Sequence, residues 1–212
     1  MDHLCLQVPD IDSAHRAALE RGLPLIWGGE VSHVFTGDAF FVAPEATQGV
    51  LVELLQPDER AEPGAKGDGL FTQVTMVNTV CADLPGALGQ WERNFGLRAE
   101  SYLRAPEADN RHAMVPTGAT GAAYIEVLSP LSPAGKNAAY LDKAGEGLFQ
   151  FDVRSDDPER AIALLSKAGY RTQRSEGMDQ GRTAYFVHPK SSGGVFIAIF
   201  PPGPIPSGPV PW

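Results

Sequence analysis

The chain has 212 residues, 43% of them hydrophobic and 20% charged, with a formal net charge of −9. That length supports one or two domains with a substantial core. An acidic balance with no Lys/Arg cluster argues against a nucleic-acid partner, because phosphate binding needs a basic face. No run approaches the roughly 20 apolar residues that span a bilayer. No basic stretch followed by an apolar one opens the chain, so the expectation is a cytoplasmic protein without a signal peptide or membrane partner. Two cysteines, Cys5 and Cys81, make no disulfide framework, and their apolar strand-like settings predict reduced core thiols.

The first predicted element is the strand HLCLQV, in which Leu4, Leu6 and Val8 share one face. The amphipathic helix IDSAHRAALERG follows, closed by Gly22, then short strands between GG and TGD turns, then the closing strand GVLVELLQP. Residues 57–71 are charged and Gly/Pro-bearing, as a linker is. A second unit opens on MVNTVCAD, with Asp83 as N-cap of the helix LPGALGQWERNFGL. Leu84, Leu88, Trp91 and Phe95 recur at helical spacing, which predicts packing against a sheet. Gly96 ends that helix, and AAYIEVLSP closes the unit. Within 129–147, AAYLDKAG suits a short helix. A third unit runs from QFDVRSDD through PERAIALLSKAGY, N-capped by Asp156 or Asp157 with Pro158 in its first turn, to Gly169 and then GVFIAIFPP. The proline-rich tail, 202–212, cannot continue a sheet and is expected to lie extended on a surface.

The three units keep one spacing. His3 to Glu53 is 50 residues, Met76 to Glu126 is 50 and Gln150 to Ala198 is 48. The fold class is therefore α+β, built from tandem βαβββ modules. The division is residues 1–56 as a single module, 57–71 as linker, 72–201 as a two-module domain and 202–212 as tail. No GxGxxG, GxxxxGK[ST] or nucleophile-elbow sequence occurs, so no nucleotide cofactor is expected.

The segments VLSPLSP…YLDKAGEGLFQFDVRSDD and VHPKSSGGVFIAIF resemble the linker and second half of methylmalonyl-CoA epimerases and related glyoxalase-like, vicinal-oxygen-chelate proteins. PEATQGVLVELLQP resembles the same second-half ending, and QWERNFGL the first-half helix. The resemblance implies paired modules forming a cupped sheet, with a divalent metal (Zn, Co, Ni, Mn or Fe) held by one opening-strand and one closing-strand residue of each module. At those positions the first module carries His3 and Glu53, the expected metal ligands. The second carries Met76 and Glu126, the latter a retained ligand, a proton-transfer base or a vestige. The third carries Gln150 and Ala198. Thioether, amide and methyl groups make no hard-cation site, so the cup of the second and third modules is expected to be metal-free.

The first module then resembles the second half of a domain. A four-module ancestor, a start further upstream, or a homodimer pairing two first modules around two His3 and two Glu53 would each account for it. Pairing of the first module with the second in one chain would instead gather His3, Glu53 and Glu126. The resemblance implies a small-molecule substrate, a small carbonyl or acyl-CoA compound, and a metal-dependent isomerase or lyase moving a proton through a stabilised enolate. The alternatives are a metal-free sequestering protein of the resistance type and a ring-cleavage dioxygenase. No catalytic residue is assigned: Glu107 sits in APEADNRH, a departure from the family pattern. His188 suits a turn, His15 and His112 packed or solvated roles, and His33 a weak approach to the first cup.

Overall fold

In the computed structural model, residues 3–34, 36–58, 69–106, 109–118, 123–177 and 182–203 are described. Glu107, most of the 57–71 linker and the tail beyond residue 203 lie outside the described residues. The chain runs β1 (Leu4–Gln7), α1 (Ile11–Glu20), β2 (Ser32–Val34), β3 (Gly37–Val42) and β4 (Val52–Pro57). It continues through β5 (Gln73–Val80), α2 (Leu84–Phe95), β6 (Ser101–Ala105), β7 (Asn110–Pro116), β8 (Tyr124–Pro130) and α3 (Lys136–Ala144). Last come β9 (Gly147–Arg154), α4 (Pro158–Lys167), β10 (Thr172–Gly177), β11 (Arg182–Val187) and β12 (Phe196–Phe200). Three βαβββ units are therefore present, and α3 forms where AAYLDKAG predicted a helix.

Helices α1 and α4 start where an aspartate side chain meets orphan amides. Asp10 Oδ1 accepts from the Asp12 and Ser13 N–H groups at 3.1 and 3.2 Å. Asp157 accepts from the Arg160 N–H at 2.9 Å, with Pro158 following it. Asp83 occupies the N-cap position of α2, which ends on Gly96 in a left-handed conformation.

The strands form two sheets. The first has the order β1-β4-β3-β2 and the second the order β10-β11-β12-β9-β5-β8-β7-β6. Within each unit the opening and closing strands pair in parallel, and their registers match: Cys5 faces Glu53, Asn78 faces Glu126 and Asp152 faces Ala198. The second and third units join through the antiparallel pair β5–β9, in which Met76 faces Asp152 and Asn78 faces Gln150.

Strand alternation sends one side-chain set toward the helices. Leu4, Val52 and Leu54 from the first sheet, and Val115, Ile125 and Val127 from the second, belong to one hydrophobic core with Leu84 and Trp91 of α2. Trp91 is 1% exposed and Leu84 0%, and Leu88 and Phe95 pack against the same core. The predicted helix stripe is thus core. Arg21 Nη1 donates to the Asn94 carbonyl at 2.9 Å, and Asn94 Nδ2 to the Ala46 carbonyl at 2.7 Å. Where the first unit meets the start of β9, Gly49 (φ 94°) leaves no room for a Cβ, which would collide with the Glu146 carbonyl oxygen. A Cβ on Gly147 would in turn lie 2.7 Å from the Gly49 carbonyl oxygen.

One expectation fails. Cys81 is buried, but Cys5 is exposed. Alternation puts Leu4 and Leu6 into the core and turns Cys5 to the opposite face, beside Glu53.

Candidate functional sites on the helix-free faces

The other side-chain set of each sheet carries the polar chemistry. In the first sheet His3 Nε2 lies 3.1 Å from Glu53 Oε2, their side chains 35% and 12% exposed. Cys5 faces Glu53 across the β1–β4 pair; although the residue is exposed overall, partial desolvation of its thiol and then the Glu53 carboxylate push its pKa up to about 12. The His3 ring meets Phe41 edge-on at 5.7 Å, and Phe41 meets Trp27 at 4.5 Å. Trp27 is 73% exposed and holds a positive φ of 55°. His33 pairs with Asp38 at 2.9 Å.

In the second sheet the equivalent positions converge on Asp152. Register places Met76, Asn78, Glu126, Gln150, Asp152 and Ala198 on one face. Asp152 is 2% exposed. Its Oδ1 accepts from Asn78 Nδ2 at 3.0 Å and from Gln150 Nε2 at 2.6 Å. Burial, reinforced by the negative charge of Glu126, pushes its carboxyl up to about 8, against the pull of the two amides and Arg154. The shift favours the protonated acid, the form in which a carboxyl can donate a hydrogen bond. Asn78 Oδ1 is buried without a hydrogen-bond partner.

Glu126 accepts a hydrogen bond from His112 Nδ1 on β7. Desolvation pulls the His112 pKa down, but the charge and hydrogen bond of Glu126 outweigh it and the net shift is upward. His112 is thus a packed partner of Glu126. His188 accepts from the Lys190 N–H as a turn cap, and His15 bonds the Gly29 carbonyl.

A divalent metal needs several convergent hard donors. Among the described residues no group of three or more His, Cys, Asp or Glu is placed to hold one. In the second sheet Met76 and Ala198 offer no such donor and Glu126 is engaged by His112, so the residues present there do not fit a metal. In the first sheet His3 and Glu53 supply two donors. Sequence reasoning placed Gln150 and Glu126 on this face and gave His112 a packed or solvated role, but missed Asn78, Asp152 and the pairing of His112 with Glu126. The signal for two of them was available: Asn78 and Asp152 each lie two residues beyond an opening-strand position and share its face.

The Glyoxalase/Bleomycin resistance protein/Dioxygenase superfamily profile matches residues 76–186. No curated protein sequence matches the chain. Among solved structures, the chain is similar to methylmalonyl-CoA epimerase from Mycobacterium tuberculosis, at 26% identity and a TM-score of 0.57, covering 66% of this chain and 95% of that one. A second methylmalonyl-CoA epimerase shares 25% identity with a TM-score of 0.57, covering 65% and 100%. A Streptomyces coelicolor methylmalonyl-CoA epimerase variant in complex with 2-nitronate-propionyl-CoA shares the fold, at 22% identity and a TM-score of 0.56, covering 63% and 99%.

Proposed function

Because the chain belongs to the Glyoxalase/Bleomycin resistance protein/Dioxygenase superfamily, we propose that residues 72–201 form one two-module domain that holds a small carbonyl or acyl-CoA compound without a metal ion. Residues 1–56 are then half of a second such domain. The observation that carries this reading is Asp152, a buried acid flanked by Asn78 and Gln150 amides and by the His112–Glu126 pair. A protonated carboxyl donates to a carbonyl oxygen, and Glu126 accepts a proton.

Calorimetric titration with a panel of acyl-CoA thioesters and small carbonyl acids in EDTA tests it. Binding is expected to survive EDTA and to weaken about tenfold in Gln150→Leu, the equivalent of about 1.4 kcal/mol. Binding that appears only when a divalent metal is restored would refute the reading. Exchange of the substrate α-proton in D2O, abolished in Glu126→Gln, would mark isomerase chemistry of the epimerase type. Binding without exchange would mark a sequestering role.

The His3–Glu53 pair favours a second reading for the first sheet: a divalent cation held by His3 and Glu53 of two copies of the chain. Metal analysis of purified protein checks it. Near-stoichiometric metal lost in His3→Ala supports it, and no metal after reconstitution removes it.

A further inference from the structure

The first sheet ends on β1, whose only described strand neighbour is β4. The Leu4 and Val8 N–H groups donate to the Leu51 and Leu55 carbonyls. Alternation along the strand therefore turns the backbone groups of Cys5 and Gln7 outward, and Cys5 is exposed. The equivalent strands of the other two units, β5 and β9, cover this edge with each other. Their pairing is close to two-fold symmetric. Met76 faces Asp152, Val77 faces Phe151 and Asn78 faces Gln150, and by register Met76 matches Gln150 while Asn78 matches Asp152.

We propose that two copies of this chain pair antiparallel along β1, with Leu4 opposite the partner's Leu4 and His3 opposite the partner's Cys5. The β5–β9 pair within each chain supplies the template. The two four-stranded sheets join into one of eight, and the exposed edge, an association hazard in a soluble protein, is closed. The helix-free faces then form a second cup. Its floor carries His3, Cys5 and Glu53 from both copies, with Trp27 and Phe41 of each beside it. This arrangement deepens the second reading above by giving the strand register that brings the donors of the two copies together, and it stands without any metal.

Two measurements test it on the full chain. Sedimentation of the metal-stripped protein in EDTA at about 50 μM is expected to give twice the 22.7 kDa chain mass. His3→Cys is expected to form a reducible covalent dimer with diamide, since facing Cα atoms about 4.5–5.5 Å apart suit a disulfide. Diamide takes up the two electrons and two protons released as the two thiols join, and is itself reduced to the hydrazine. Cys81 is buried, and His3→Cys with Cys5→Ser should lose the cross-link. A monomer in EDTA overturns the proposal, and so does a dimer whose His3→Cys variant does not cross-link through Cys5. A dimer that holds no metal removes the second reading alone, while ligand binding by a monomer leaves the reading of residues 72–201 intact.

Discussion

Asp152→Asn is the most informative perturbation. The amide keeps the oxygen that accepts from Asn78 and Gln150 and puts an N–H donor where the protonated acid carries its hydrogen. The folded-state pKa is raised from 3.8 to about 8, so between those values the native state holds a proton that the unfolded chain has lost. The carboxyl's contribution is fully present below pH 3.8 and is lost as pH rises through the folded value. Each pH unit in that window costs about 1.4 kcal/mol of stability, a ceiling of about 4 kcal/mol between pH 5 and 8. Relaxation around the acid lowers the expected difference to about 2 kcal/mol, or about 4–8 °C in melting temperature for a chain of this size. His112, also raised, makes stability fall in the same direction, but it is common to both proteins and drops out of their difference. Urea unfolding of wild type and Asp152→Asn at pH 5 and pH 8 reads the effect. Parallel pH dependences in the two proteins would show that Asp152 is ionised in the fold, and the acid–amide reasoning would fail.

His112→Ala leaves the Glu126 carboxylate, 12% exposed, without its partner, and should cost about 3 kcal/mol by chemical denaturation; His112→Gln, which keeps a donor, should recover part of it. Trp91→Ala empties the core beneath both sheets and is expected to cost about 3–5 kcal/mol. Gly49→Ala should destabilise by more than about 2 kcal/mol because strain and collision add. The control Gly22→Ala, with a similar positive φ but nothing within 4 Å, should cost only about 1 kcal/mol. Equal thermal shifts for the two glycine variants would remove the contact from the account.

The repeat was legible because each module re-uses the same local rules: an alternating strand, an acidic cap, a stripe such as Leu84–Leu88–Trp91–Phe95, and a glycine stop. The polar floor was less legible. Asn78 and Asp152 read as ordinary residues of half-buried strands, and only the antiparallel β5–β9 register brings them within hydrogen-bond distance of one another. His112 lies 14 residues from Glu126 and reaches it through the β7–β8 hairpin pairing, which no spacing along the chain announces. Cys5 was misread because an apolar neighbourhood in sequence was taken for one in space, although residues adjacent in a strand face opposite ways.

The Gly49–Gly147 contact bears on how the two polar faces communicate. Gly147 opens β9, which carries Gln150 and Asp152, and Gly49 lies just before β4, which carries Glu53. Backbone meets backbone there with no side chain to act as a cushion. A ligand that displaced the start of β9 would push directly on the turn ahead of β4, and a rearrangement around Glu53 would press back along the same line. Occupancy of one face is therefore expected to alter affinity at the other, with equal coupling in both directions.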